Sequence, residues 1–153
     1  MTRFTLVRHG ETDWNRDGRI QGSTDIPLND TGRVQAVEAG RVLRGVIDPD
    51  AATVVVSSDL SRAAETADLI TAELGAAAPL RYPGLRERGY GEAEGMRAAD
   101  FRAKWGDWHT AHIPGAESWD DLRERALRTL QRAVNDARRA TAPAAPAVIA
   151  VAH

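Results

Sequence analysis

The chain has no cysteine. That absence excludes a disulfide framework, a thiolate nucleophile, and zinc or iron-sulfur sites built on cysteine. Nor is there a basic excess: 20 lysines and arginines stand against 22 acidic side chains, a formal net charge of -2. A nucleic-acid partner is therefore not expected, and any anion must be held by a local arrangement of charges rather than a broad field. No apolar run is long enough to span a bilayer, and the N-terminal apolar stretch is too short and too soon charged to read as a signal peptide. These absences leave a cytoplasmic protein without membrane contact as the expectation. At 153 residues, 42% of them hydrophobic, the chain has the length and composition of one globular domain with a sizeable core.

The chain is organised around Leu6-Val7-Arg8-His9-Gly10-Glu11-Thr12. Phe4 to Val7 reads as a strand buried on both faces, and Arg-His-Gly at its carboxyl end sets an imidazole beside a guanidinium where the backbone leaves the sheet. Arginine offers planar bidentate donors for phosphate, and a neutral imidazole has a lone pair able to attack phosphorus. Residues 11 to 30 have no sustained period and read as a long loop, with Trp14 as a packing anchor. Thr31 is the candidate cap of a helix that Gly45 and Asp48-Pro49 stop. Thr53 to Val56 is a second buried strand, and Ser57-Ser58-Asp59 can cap a helix with Arg62 in its first turn. Ala63, Ala67, Ile70 and Leu74 then recur on one helical face up to Gly75.

Leu80 to Tyr82 predicts a short edge strand, and residues 84 to 95 an irregular glycine-rich loop holding Glu87. Met96 to Trp108 can be helical, with Phe101, Trp105 and Trp108 as an apolar stripe. His109 and His112 lack a third ligand at helical spacing, so no metal site is expected there. Ser118 and Asp121 resemble a capping box for a helix to about Arg139, whose inward face would be Leu122, Ala126, Leu127, Leu130 and Val134. Ala147 to Val151 is the last strand, with His153 at its end as His9 is at the end of the first. Helices alternating with buried strands predict an α/β fold, a three-layer α/β/α sandwich with a mostly parallel central sheet and its site beyond the strands' carboxyl ends.

Arg8-His9-Gly10, Asn15, residues 22 to 32, Ser57 to Ala63, Leu85-Arg86-Glu87-Arg88 and the closing strand with His153, in this order, resemble the histidine phosphatase superfamily in its phosphoglycerate-mutase-like branch. The resemblance covers essentially the whole chain. It implies that His9 is transiently phosphorylated, that Arg8, Arg62 and His153 hold the phosphoryl group, and that Glu87 donates a proton and later activates water. Asn15 matches a phosphate contact, Gln21, Gly22 and Ser23 fall in the substrate loop, and Arg88 and Tyr90 match residues that could bind a phosphoglycerate. The family continues beyond this histidine with further strand and helix, so residues 1 to 153 read as one domain truncated at its C-terminus.

The expected activity is metal-independent hydrolysis of small phosphomonoesters, of sugar-phosphate or phosphoglycerate type, through phosphohistidine and without a cofactor. The expected partner is a small phosphorylated metabolite; oligomeric state is not legible. One alternative is a bisphosphoglycerate-dependent phosphoglycerate mutase, and another an inactive phosphate-binding module. The passage from Glu87 to Glu117-Ser118 is short and has no adjacent arginine pair, unlike the mutase branch, which favours the phosphatase.

Overall fold

The structure is a computed structural model describing Met1 to His153. Four strands, β1 (Arg3–Arg8), β2 (Thr53–Ser57), β3 (Leu80–Arg81) and β4 (Ala147–Ala152), form one sheet in the order β1-β4-β2-β3, with every pair parallel. The helices are α1 (Asp13–Arg16), α2 (Asp30–Val46), α3 (Ser61–Leu74), α4 (Ala98–Trp105) and α5 (Trp119–Thr141). Short 3-10 turns occupy Pro83–Leu85 and Gly91–Ala93.

Alternation along the strands feeds two apolar layers. Val55, Ile149 and Val151 face α2 and α3, where they meet Leu43, Ala63, Ala67 and Ile70. Val56, Val148 and Ala150 face the opposite side, where Ala133 and Ala137 of α5 close over them together with Tyr82 and Leu85. A third cluster, in which Ile20, Tyr90, Ala93, Phe101 and Ile113 come together against Trp105 and Trp108, packs beneath the long loops. The α/β/α expectation is met, and the parallel strands put all four carboxyl ends on one edge.

Four local readings need correction. β1 is not buried on both faces, because it is an edge strand paired only with β4, and Phe4 and Leu6 lie on an uncovered face. The loop after β1 contains α1, closed by a capping box in which Thr12 and Asn15 bond reciprocally. The cap of α2 is Asn29, whose side chain accepts from Gly32 N, so the helix starts one residue before Thr31. The first turn of α3 takes no cap from residues 57 to 59; Asp25, from the loop after β1, accepts from the backbone N and Oγ of Ser61.

On α5, Ser118 accepts from Asp121 N as its capping pattern indicates. The helix is buried deepest at Ala133 and Ala137, however, and Leu127 is exposed. Small side chains let that part of α5 sit close to the sheet. Helix α4 ends at Trp105, and Trp108 reaches the same aromatic cluster from the turn beyond it, 4.5 Å from Phe101 between ring centroids.

Candidate active site

The parallel register of β1 and β4 pairs Arg8 with Ala152, so the next residues outward, His9 and His153, stand abreast. The His9 N–H donates to the Ala152 carbonyl at 3.0 Å, and the two ring centroids are 5.0 Å apart. Nδ1 of His9 lies 2.6 Å from the Gly10 carbonyl oxygen. A carbonyl can only accept, so this nitrogen carries the proton and Nε2 keeps its lone pair free. The support continues inward, since Gly10 N donates to Thr66 Oγ1, which itself donates to the Arg62 carbonyl.

Burial holds His9 neutral, lowering its pKa to about 4; the Gly10 bond opposes that shift, and the positive charges of Arg62 and Arg8 add to it. His153 is lowered to about 2, mostly by burial and further by Arg62 and His9. Its Nε2 pairs with Ser58 Oγ at 2.8 Å, and its Nδ1 is buried with no protein partner.

Arg62 is fully buried. Its guanidinium donates to the carbonyls of Thr24 at 2.8 Å and Gly22 at 2.7 Å, and to Glu87 Oε2 at 3.0 Å, leaving Nε buried without a partner. At Glu87, burial outweighs the attraction of Arg62 and Arg8 and raises the carboxyl pKa, with Glu94 adding to the rise. Arg62 and Glu87 thus form a partly buried pair in which the acid is biased toward its protonated form.

Arg8, His9, Asn15, Gln21, Glu87, Tyr90 and His153 line one cavity of about 190 Å³ together with Gly18, Arg19, Ile20, Ala98 and Trp108. Asn15 spends its carbonyl oxygen on the α1 cap, which leaves the amide NH₂ as the group able to serve a ligand. Gln21 Oε1 accepts from the buried Thr12 hydroxyl at 2.6 Å. Four expected residues stand outside the lining, Arg62 among them, buried behind the wall. Gly22 offers its carbonyl to Arg62, and Ser23 gives its N–H and Oγ to Glu94. The Arg88 guanidinium stacks on Trp119 at 4.2 Å and Tyr90 at 5.0 Å, donates from Nε to the Glu117 carbonyl, and keeps a buried, unpartnered Nη1.

Two supports escaped sequence reasoning. Glu94 accepts from the backbone and hydroxyls of Ser23 and Thr24 and from Tyr90 N, tying the loop after β1 to the acidic loop. Arg125 of α5 binds Glu117 and three loop carbonyls. A glutamate in a glycine-rich loop and an arginine on an amphipathic helix look like any solvated charge in sequence, so no local signal marks either. No group of three histidine, aspartate or glutamate side chains is placed to hold a metal ion. Outside the cavity, His109 stacks on Trp119 with ring centroids 5.8 Å apart.

Paired imidazoles, arginines and a partly buried acid at the carboxyl edge of a parallel sheet define an α/β protein equipped to handle a phosphoryl group. The chain belongs to the histidine phosphatase superfamily (branch 1), whose sequence model matches residues 4–153. It is 38% identical over 137 residues to the uncharacterized phosphatase PhoE of Bacillus subtilis, covering 90% of this chain and 66% of that protein. It is 34% identical over 134 residues to a 2,3-bisphosphoglycerate-dependent phosphoglycerate mutase of Xanthobacter autotrophicus, covering 83% of this chain and 64% of the mutase. Among solved structures, a mycobacterial glucosyl-3-phosphoglycerate phosphatase superposes with a TM-score of 0.81 at 30% identity, covering 99% of this chain and 75% of that one. The chain thus spans just under two thirds of the length of these two curated relatives.

Proposed function

We propose that the protein hydrolyses small phosphomonoesters, of sugar-phosphate or phosphoglycerate type, through a phosphohistidine on His9 and without a metal. The observation that carries this reading is the bond from His9 Nδ1 to the Gly10 carbonyl, which fixes the tautomer and leaves Nε2 bare in a cavity lined by Arg8 and His153. Nε2 attacks phosphorus, the ester P–O bond breaks, and the Glu87 carboxylic acid protonates the departing oxygen. Water, deprotonated by the resulting carboxylate, then attacks the phosphohistidine. The P–N bond breaks, and the lone pair returns to Nε2 while the Nδ1 proton stays where it was. Arg8, the His153 edge and the Asn15 amide gather phosphoryl oxygens, and Arg62 supplies buried positive charge beneath them.

A rapid quench that avoids acid should trap phosphohistidine in the wild type and none in His9→Ala, and a chelator should leave turnover unchanged. Failure to trap the adduct, or wild-type turnover in His9→Ala, would discard the mechanism. A second reading, mutase activity, draws support from Tyr90 in the cavity wall beside Arg88. Incubating 3-phosphoglycerate with and without bisphosphoglycerate separates the two: free phosphate supports the hydrolase, and faster isomer formation dependent on bisphosphoglycerate supports the mutase.

A further inference from the structure

The acid is carried by a segment with little structure of its own. Between the 3-10 turns that end at Leu85 and begin at Gly91, the backbone belongs to no helix or strand beyond a single bridge from Tyr90 to Ala116. Backbone carbonyls in such a segment need partners from elsewhere. One side chain supplies them on either side of the acid's Cα and at Gly84 just before it. Arg125 Nη1 donates to the carbonyls of Gly84 at 3.0 Å and Arg86 at 2.8 Å, and Nη2 donates to the carbonyl of Glu87 itself at 2.9 Å. The remaining two N–H groups, on Nε and Nη2, meet the two Glu117 carboxylate oxygens at 2.5 and 2.7 Å. All five donors of the guanidinium are thereby used, and Arg125 stands outside the cavity lining, so it has nothing left to offer a substrate.

Glu117 completes the clamp from its own side: its N–H donates to the Gly89 carbonyl at 2.8 Å, two residues beyond Glu87. The loop also lies hard against α5, where a Cβ at Gly84 would collide with the Thr129 hydroxyl, one turn along from Arg125. We propose that Arg125, locked to Glu117, is the positioning residue that orients Glu87 toward the leaving oxygen. The proposal rests on Glu87 being the proton donor.

An acid is needed in proportion to the basicity of the leaving group. An alkyl phosphate such as glycerol phosphate requires protonation of the departing oxygen, whereas p-nitrophenyl phosphate releases a stable phenolate unaided. General acid catalysis contributes about 10² to 10⁴ in rate, and a displaced acid forfeits part of it. The informative quantity is kcat/KM, which reports phosphoryl transfer to His9, and the ratio between the two esters is independent of the fraction of enzyme that is folded. Arg125→Met is expected to lose roughly 30-fold or more on glycerol phosphate and less than about threefold on p-nitrophenyl phosphate.

Arg125→Lys keeps the charge near Glu117 but has only three donors on a flexible stem, and should shift the ratio the same way. It decides the matter if the methionine variant does not fold. Equal losses on both esters in a folded variant, or a lysine variant with the wild-type ratio, would overturn the proposal. Glu87→Gln sets the reference: if it too lost equally on both esters, the proton-donor role would fall, and Arg125's role with it. A selective loss in Glu87→Gln but not in the Arg125 variants would overturn the positioning role alone.

Discussion

His9 shows how one residue's surroundings set both reactivity and stability. The free imidazole titrates near 6.5 and the folded one at about 4, so the nucleophile stays unprotonated well into acid. The acid limb of kcat/KM assigned to His9 is therefore expected near pH 4 rather than near 6.5, as a pH-rate profile on p-nitrophenyl phosphate would show. Between those two values the unfolded chain binds a proton at His9 that the folded chain does not. The stability this site contributes is complete above about pH 6.5 and is lost as pH falls toward 4, amounting to roughly 3 kcal/mol. Denaturant melts of the wild type and of His9→Ala at pH 7, 5.5 and 4 would isolate it from the share of His153, which has the same sign, and a difference between the two proteins that does not change with pH would contradict the burial account.

Arg62 carries a second consequence at this scale. Removing it would leave Glu87 without its counter-charge and the carbonyls of Gly22 and Thr24 without their donors. Arg62→Ala should therefore cost about 3 kcal/mol or more in stability, as for a broken buried pair, besides about 10³-fold in kcat/KM. A folded Arg62→Ala protein within tenfold of wild type would show that the guanidinium serves the loop alone.

At the scale of elements, the site depends on segments that cap and brace one another across long stretches of chain. Helix α3 presents Arg62 in its first turn, but its N-terminus is closed by Asp25 from the loop after β1. Asp25→Ala should cost about 1 kcal/mol, the usual worth of an N-terminal cap, and should lower kcat/KM more than an equal destabilisation placed elsewhere. The neighbouring turn is just as constrained. Gly22 has φ +58°, and a Cβ there would meet the Glu94 carboxylate that gathers Ser23 and Thr24. Gly22→Ala is expected to lose about 1–2 kcal/mol to backbone strain alone and to loosen the carbonyls that hold Arg62, which a thermal melt paired with activity would report. Capping signals in the sequence identified Ser118 at the start of α5, because that cap is local, but the caps read at residues 57 to 59 do not serve α3. They missed Asp25, 36 residues before Ser61, because a cap that reaches across the fold leaves no spacing to read.

For the molecule as a whole, strand order decides how much each apolar residue contributes. β4 lies between β1 and β2 with both faces covered, and Ile149 is fully buried; β1 is at the edge, with Leu6 66% exposed. In the 153-residue chain, Ile149→Ala should cost about 2–5 kcal/mol and Leu6→Ala less than about 1 kcal/mol, by urea denaturation. Comparable losses at the two positions would contradict this topology.

The amino-acid order by itself determined the alternation of strands and helices, the stripe of Ala63, Ala67 and Ile70, and the presence of His9 and His153 at strand ends, because each rests on neighbours a few residues apart. It also carried the family resemblance that Arg8-His9-Gly10, Arg62 and Glu87 make together. Only the tertiary structure decided that β1 is an edge, that Gln21 and Tyr90 share the cavity while Arg62, Gly22, Ser23 and Arg88 stand behind it, and that Arg125 and Glu94 brace the site. Those outcomes depend on strand register and on hydrogen bonds between residues up to some 70 positions apart, such as Glu94 with Ser23. A side chain's type records what it can bond, whereas its partner is set by which elements pack together, and packing is a property of the folded chain.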